Sequence, residues 1–154
     1  MMTILIHFLL SLGAVFGFCS IFKIPRKAIF PCMVIGAAGW AVFKYVVAIL
    51  GMSNVLGCLF GALVVAFLSE ACARFFKDAS TIFVLPGILP LVPGAGMYYT
   101  MRALIAGDYA TTISTGTNTI FMAGAIAVAI LIVTSLFRVG MVIRGTLSPR
   151  EFRR

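Results

Sequence analysis

Hydrophobic residues run along this chain in five long blocks, residues 4–22, 28–50, 54–76, 81–105 and 117–139, divided by short polar joints. A run of about 20 apolar residues is what a helix needs to cross a hydrocarbon core roughly 30 Å thick, so each block predicts a transmembrane segment. The joints are KIPRK (23–27), GMS (51–53), KDAS (77–80) and the longer polar GDYATTISTG (107–116). None has the character of an interdomain linker. The pattern predicts an all-α integral membrane protein with about five transmembrane segments: one membrane domain over residues 1–139, followed by a basic tail, residues 140–154.

The fourth block departs from the others. Its stretch LPGILPLVPGAG (85–96) places Pro86, Pro90 and Pro93 beside Gly87, Gly94 and Gly96. Each proline removes a backbone donor and each glycine loosens the chain, so the segment is expected to break. Within a bilayer, broken backbone survives only where protein covers it or where it lines a water-filled cavity. In discontinuous helices a half-helix N-terminus attracts a carboxylate, while unwound carbonyls accept an ammonium group or cation. Pro90, Pro93, Gly94, Gly96 and Tyr98 are therefore candidate solute-binding positions; a proline-kinked packing helix is the other reading of the same residues. Pro31, by contrast, is placed in the first turn of its segment, where a missing donor is harmless.

A second polar feature, TTISTGTNT (111–119), leads into the last block. With that helix starting near Thr117, Thr117 and Asn118 lie at membrane depth and become candidates for a solute pathway, whereas Ser114 and Thr115 are expected to cap the helix. Two GxxxG pairs, Gly13/Gly17 and Gly57/Gly61, give the first and third segments a face of small residues, suited to packing within the chain or to a subunit interface.

Composition narrows the class further. With 62% hydrophobic and 10% charged residues, the chain cannot be an ordinary soluble domain. Its net charge of +8 does not imply nucleic acid, because the basic residues bracket the apolar blocks. Such placement reports topology and contact with anionic lipid headgroups. Lys23, Arg26, Lys27, Arg74, Lys77, Arg138, Arg144, Arg150, Arg153 and Arg154 all fall on one side of a five-segment arrangement, leaving Lys44 and Arg102 toward the other. The rule that positive charge stays inside then predicts an outside N-terminus and a cytoplasmic tail. The start, MMTILIHFLL, lacks the basic region of a cleaved signal and is expected to remain as the first segment.

No catalytic constellation is visible. One histidine, His7, and four acidic residues offer neither metal spacing nor a nucleophile with a base, so no cofactor, metal or enzymatic step is expected. His7 reads as interfacial. Cys19, Cys32, Cys58 and Cys72 read as small apolar helix residues. Glu70 and Arg74, four residues apart, predict a local ion pair, and Arg102, one to two turns after the glycine cluster, is placed either to neutralise a carboxylate or, more economically, to pair with Asp108.

The run Pro90 to Tyr98 (PLVPGAGMY), preceded by FVLPGIL (83–89) and followed by a last segment carrying Thr117-Asn118, resembles the C-terminal membrane domain of the threonine/serine exporter family. The KIPRK joint is similar too. The likeness is greatest to the small, separately encoded YjjB-type subunit of that family. This resemblance implies secondary export of small amino acids, driven by the proton gradient, from a bacterial inner membrane. It also implies a larger membrane subunit as partner. A related two-component system exports a dicarboxylate, succinate, so the resemblance leaves the solute open between the two, both of which bear carboxylates. A non-transporting scaffold and a small homo-oligomeric channel are the remaining readings.

Overall fold

A computed structural model describes residues 2–147, with side chains for residues 6–141. Among the described residues all regular structure is helical: α1 (Met2–Ile21), α2 (Arg26–Ala48), α3 (Asn54–Phe76), α4 (Thr81–Ile88), a 3₁₀ turn (Leu89–Leu91), α5 (Gly94–Ile105) and α6 (Tyr109–Leu147). Helices α2, α3 and α6 are long and apolar enough to cross a membrane, and the α4–α5 pair makes a fourth candidate if counted as one bent span. The apolar part of α1, Ile6–Ile21, is shorter. The chain is a multi-pass membrane protein in which α1, α2, α3, the α4–α5 pair and α6 correspond to the five expected blocks.

Glycines set how the helices meet. Helices α2 and α3 cross at Gly39 and Gly61, where a Cβ on Gly61 would lie 2.9 Å from the Gly39 carbonyl oxygen. Helix α4 approaches α2 in the same way, with a Cβ on Gly36 falling 3.3 Å from the Gly87 oxygen. Such contacts replace side chains with backbone, which is how helices pack without a hydrophobic driving force between them. Val15, Cys32, Val65, Ala62, Phe83 and Leu91 fill the centre. The Gly57/Gly61 face is thus consumed within the chain. A Cβ at Gly13 or Gly17 would meet nothing within 4 Å, so the α1 face is left open.

The turns are local. Lys23 (φ 52°) after α1 and Lys77 (φ 55°) after α3 take the left-handed conformation that closes a helix C-terminus, and Gly107 (φ 76°) does the same after α5. At one end of the molecule Lys27 pairs with Asp78 at 2.8 Å, joining the start of α2 to the α3–α4 joint. Arg74 donates to the Phe137 carbonyl oxygen of α6 at 3.4 Å at that end. The basic joints are therefore gathered in space as well as in sequence.

Three boundaries differ from expectation. Helix α2 starts at Arg26, which puts Pro31 inside the helix beyond its first turn, where it removes one helical N–H donor. Helix α6 starts at Tyr109, not near Thr117, because Asp108 caps it: the Asp108 carboxylate accepts from the Thr111 N–H at 3.0 Å. Ser114 and Thr115 consequently lie within the helix and cap nothing. The hydroxyls of this stretch turn back on their own helix, as Thr112 does to the Asp108 carbonyl (2.7 Å) and Thr119 to the Thr115 carbonyl (2.7 Å). Helix α6 also continues past Val139 to Leu147; residues 148–154 of the basic tail lie outside the described residues.

Candidate functional site

The break in the fourth segment lies at Val92 and Pro93. Pro86 stays inside α4 and Pro90 inside the 3₁₀ turn; Val92 is then extended (φ −60°, ψ 128°), Pro93 turns the chain (φ −78°, ψ 55°) and α5 leaves at 49° to the preceding segment. Two of the carbonyls freed by the prolines have partners. Pro86 cannot donate to Ile82, and the Cys32 thiol of α2 donates to the Ile82 oxygen instead, at 3.4 Å. Pro93 cannot serve Leu89, whose oxygen accepts from the Val92 N–H at 3.2 Å. The Cys58 thiol of α3 reaches the Leu91 oxygen at 3.8 Å. Sequence reading took these cysteines as packing residues; nothing in their spacing shows which carbonyls they reach.

On the other side of the break the N-terminus of α5 is open. The Gly94 N–H folds back to Val92 (2.8 Å) and the Met97 N–H reaches Pro93 (3.1 Å). The Ala95 and Gly96 amides have no partner among the described residues, and no side chain caps this helix. Both residues line a cavity of about 350 Å³. Pro90, Pro93, Gly94 and Asn118 line it with them, and Trp40, Lys44 and Asn54 enter from α2 and α3. A helix N-terminus with unserved amides carries partial positive charge. With the Lys44 ammonium and two side-chain amides nearby, the cavity is suited to a small anion or to the carboxylate of a zwitterion.

The candidates divide. Pro90, Pro93, Gly94, Gly96 and Asn118 share the cavity wall, and Gly94 faces open space. Gly96 has a second use: a Cβ there would collide with the Thr119 hydroxyl, so this glycine lets α5 and α6 close on each other. Gly116 does the same opposite Thr100, where a Cβ would lie 3.1 Å from the Thr100 methyl. Tyr98 is 63% exposed and packs edge-on against Tyr99 (5.4 Å between centroids), outside the cavity lining. Thr117 is exposed and also absent from that lining. Trp40, Lys44 and Asn54 were not site candidates from sequence, where Lys44 stood out only by its topology, because the fold alone brings α2 and α3 against the break.

The ionisable expectations separate likewise. Glu70 and Arg74 do pair, at 3.6 Å. Arg102 and Asp108 line a shared hollow but form no ion pair within 4.0 Å; the Asp108 carboxylate is engaged by Thr111 instead. Those hydrogen bonds, from the Thr111 side chain and backbone, hold the Asp108 carboxyl below its ordinary value. His7 lies edge-on to Trp40, 6.4 Å between centroids.

Residues 7–136 match the family model described as Threonine/Serine exporter, ThrE. The chain belongs to that family. The match runs from α1 into α6 and so takes in the whole broken segment of this threonine/serine exporter family member. A relative from Haemophilus influenzae, described only as an uncharacterized protein, is 26% identical over 129 residues. The alignment covers 79% of this chain and 43% of that protein, so the chain spans less than half the length of this curated relative. No solved structure matches.

Proposed function

We propose that this chain is the membrane subunit of a two-component secondary exporter of small amino acids such as threonine and serine, coupled to the proton gradient. The observation that supports this most is the cavity at the break, where the unserved amides of Ala95 and Gly96 lie in the wall beside Lys44 and Asn118. The solute carboxylate sits against these donors, and Pro90 and Pro93 keep the backbone from closing into a continuous helix. The partner is a larger membrane subunit of the same family, and the open Gly13/Gly17 face of α1 is available to it or to a second copy of this chain. The complex resides in a bacterial inner membrane, its N-terminus outside and its basic end in the cytoplasm against anionic lipid. A dicarboxylate such as succinate is the second reading. It is favoured by one observation: the cavity lining contains Lys44 and no Asp or Glu.

Counterflow of labelled threonine, serine and succinate into vesicles holding this chain and its larger partner subunit tests the proposal. Wild-type complex is expected to exchange at least one of them, and Gly94→Leu, which fills open space at the break, is expected to assemble normally and stop exchange. Normal exchange by an assembled Pro90→Ala/Pro93→Ala/Gly94→Leu complex would leave a scaffold role in place of a pathway.

A further inference from the structure

We infer that Lys44 is the counter-ion of the solute carboxylate, held to the cavity wall by Trp40; this rests on the cavity being the solute site. Lys44 lies about one turn before the end of α2, where a lysine with no other task would extend along the helix to water. It does not do so. Its Nζ lies 5.2 Å from the centroid of Trp40, the residue one turn earlier on the same face. The Trp40 ring is itself fixed, stacked on Phe43 with centroids 5.0 Å apart and planes at 21°. The residue is half-buried and lines the cavity, so the ring contact keeps its ammonium on the side of the break.

Among the described residues no carboxylate lies within 4.0 Å of this charge. The ion pairs among the described residues are Lys27–Asp78 and Glu70–Arg74, both remote from the cavity lining. The other polar side chains in the wall, Asn54, Thr115, Asn118 and Thr119, are neutral. A lysine inside a candidate membrane span, with only neutral polar side chains beside it in the cavity wall, is costly unless something anionic arrives. Among the candidate solutes the common anionic group is a carboxylate, and the cavity has room for a small molecule. Asn54 and Asn118 supply neutral donors to its remaining lone pairs. An ammonium of this kind acts as a point charge, so recognition should depend on charge more than on shape.

The test compares wild type, Lys44→Arg, Lys44→Gln and Lys44→Met in the assembled two-subunit complex, measuring counterflow of labelled threonine. Threoninol, in which a hydroxymethyl group replaces the carboxylate, serves as unlabelled competitor. Where the complex carries succinate, succinate and succinamide, its uncharged diamide, take these places. Lys44→Gln is expected to raise KM about 10- to 100-fold, the range for losing a hydrogen bond to a charged group. It should also bring the acid and its carboxylate-free analogue to nearly equal potency as competitors. Lys44→Met, which keeps an apolar stem on Trp40, should behave like Lys44→Gln, and Lys44→Arg should retain the preference for the acid. An unchanged KM and preference in Lys44→Gln, with Gly94→Leu still blocking exchange, overturns the Lys44 assignment alone. Normal exchange by assembled Gly94→Leu overturns the cavity reading and the Lys44 assignment with it.

Discussion

The thiol of Cys32 donates to the carbonyl oxygen of Ile82, 3.4 Å away, the acceptor that Pro86 leaves without its helical partner. A proline can therefore stay inside α4 because another helix answers for the hydrogen it lacks. A serine in place of Cys32 has the same donor on a shorter bond, and an alanine has none. Cys32→Ser is expected to keep the stability of the purified protein, while Cys32→Ala lowers it by about 1 kcal/mol, the net worth of one such bond. Thermal unfolding in detergent measures the difference, and equal losses in both variants would assign Cys32 to packing alone.

Gly96 and Gly94 should respond to substitution in opposite ways. A side chain at Gly96 strikes Thr119 across the α5–α6 contact, whereas one at Gly94 enters open space. Gly96→Val is expected to lower the melting temperature by several degrees and Gly94→Ala to leave it unchanged, apart from small helix-propensity effects. Trimming the neighbour should recover part of the loss, so Gly96→Val/Thr119→Ala should melt above Gly96→Val. Additive losses would place the strain elsewhere.

Arg74 binds α3 to α6 more than it binds Glu70. Its guanidinium lies 4.2 Å from the Phe137 ring centroid and donates to the Phe137 carbonyl, while its contact to Glu70 is long, 3.6 Å, and 38% of the arginine side chain is exposed. An i,i+4 helix pair contributes roughly 0.2–0.5 kcal/mol, and this one is long, with the Glu70 side chain 13% exposed, so Glu70→Gln should be mild and leave the pH dependence of exchange unchanged. Arg74→Ala should cost about 1–2 kcal/mol, since it removes the ring contact and the hydrogen bond together. A larger loss for Glu70→Gln than for Arg74→Ala in chemical unfolding would reverse this ranking.

Asp108 makes the start of α6 sensitive to acid. Its carboxyl is held below the ordinary value by the bonds from Thr111, so the folded state favours the ionised form. That contribution is fully present above the ordinary carboxylate range and is lost as pH falls through the depressed folded value. Amide exchange at Thr111 should rise below about pH 4 relative to mid-helix amides, given the unperturbed Asp value. Asp108→Ala should show the faster exchange already at neutral pH, and Asp108→Asn, which still presents a capping oxygen, should be nearly normal without the acid step.

The five hydrophobic blocks, the break in the fourth and the gathering of basic residues at one end were legible from the chain, because each depends on one-dimensional rules. Span length follows from bilayer thickness, and a proline removes a donor wherever it stands. The place where the break opens was not legible. Pro86, Pro90 and Pro93 look alike in sequence, yet Pro86 remains helical because Cys32 and Gly36 of α2 accommodate it and Gly87, while the chain turns only at Val92–Pro93. The start of α6 was misplaced because threonines and serines, common at caps, can equally bond back within a helix once Asp108 has begun it. Trp40, Lys44 and Asn54 carry no local mark of a site. Their place beside Pro93 and Asn118 exists only because Gly39, Gly61, Gly36 and Gly87 let α2, α3 and α4 approach at backbone distance. Sequence alone determines which residues must leave water and where the helix cannot continue; the crossing of helices at glycine decides which side chains share the cavity, since close packing is a property of pairs of surfaces and not of either surface alone.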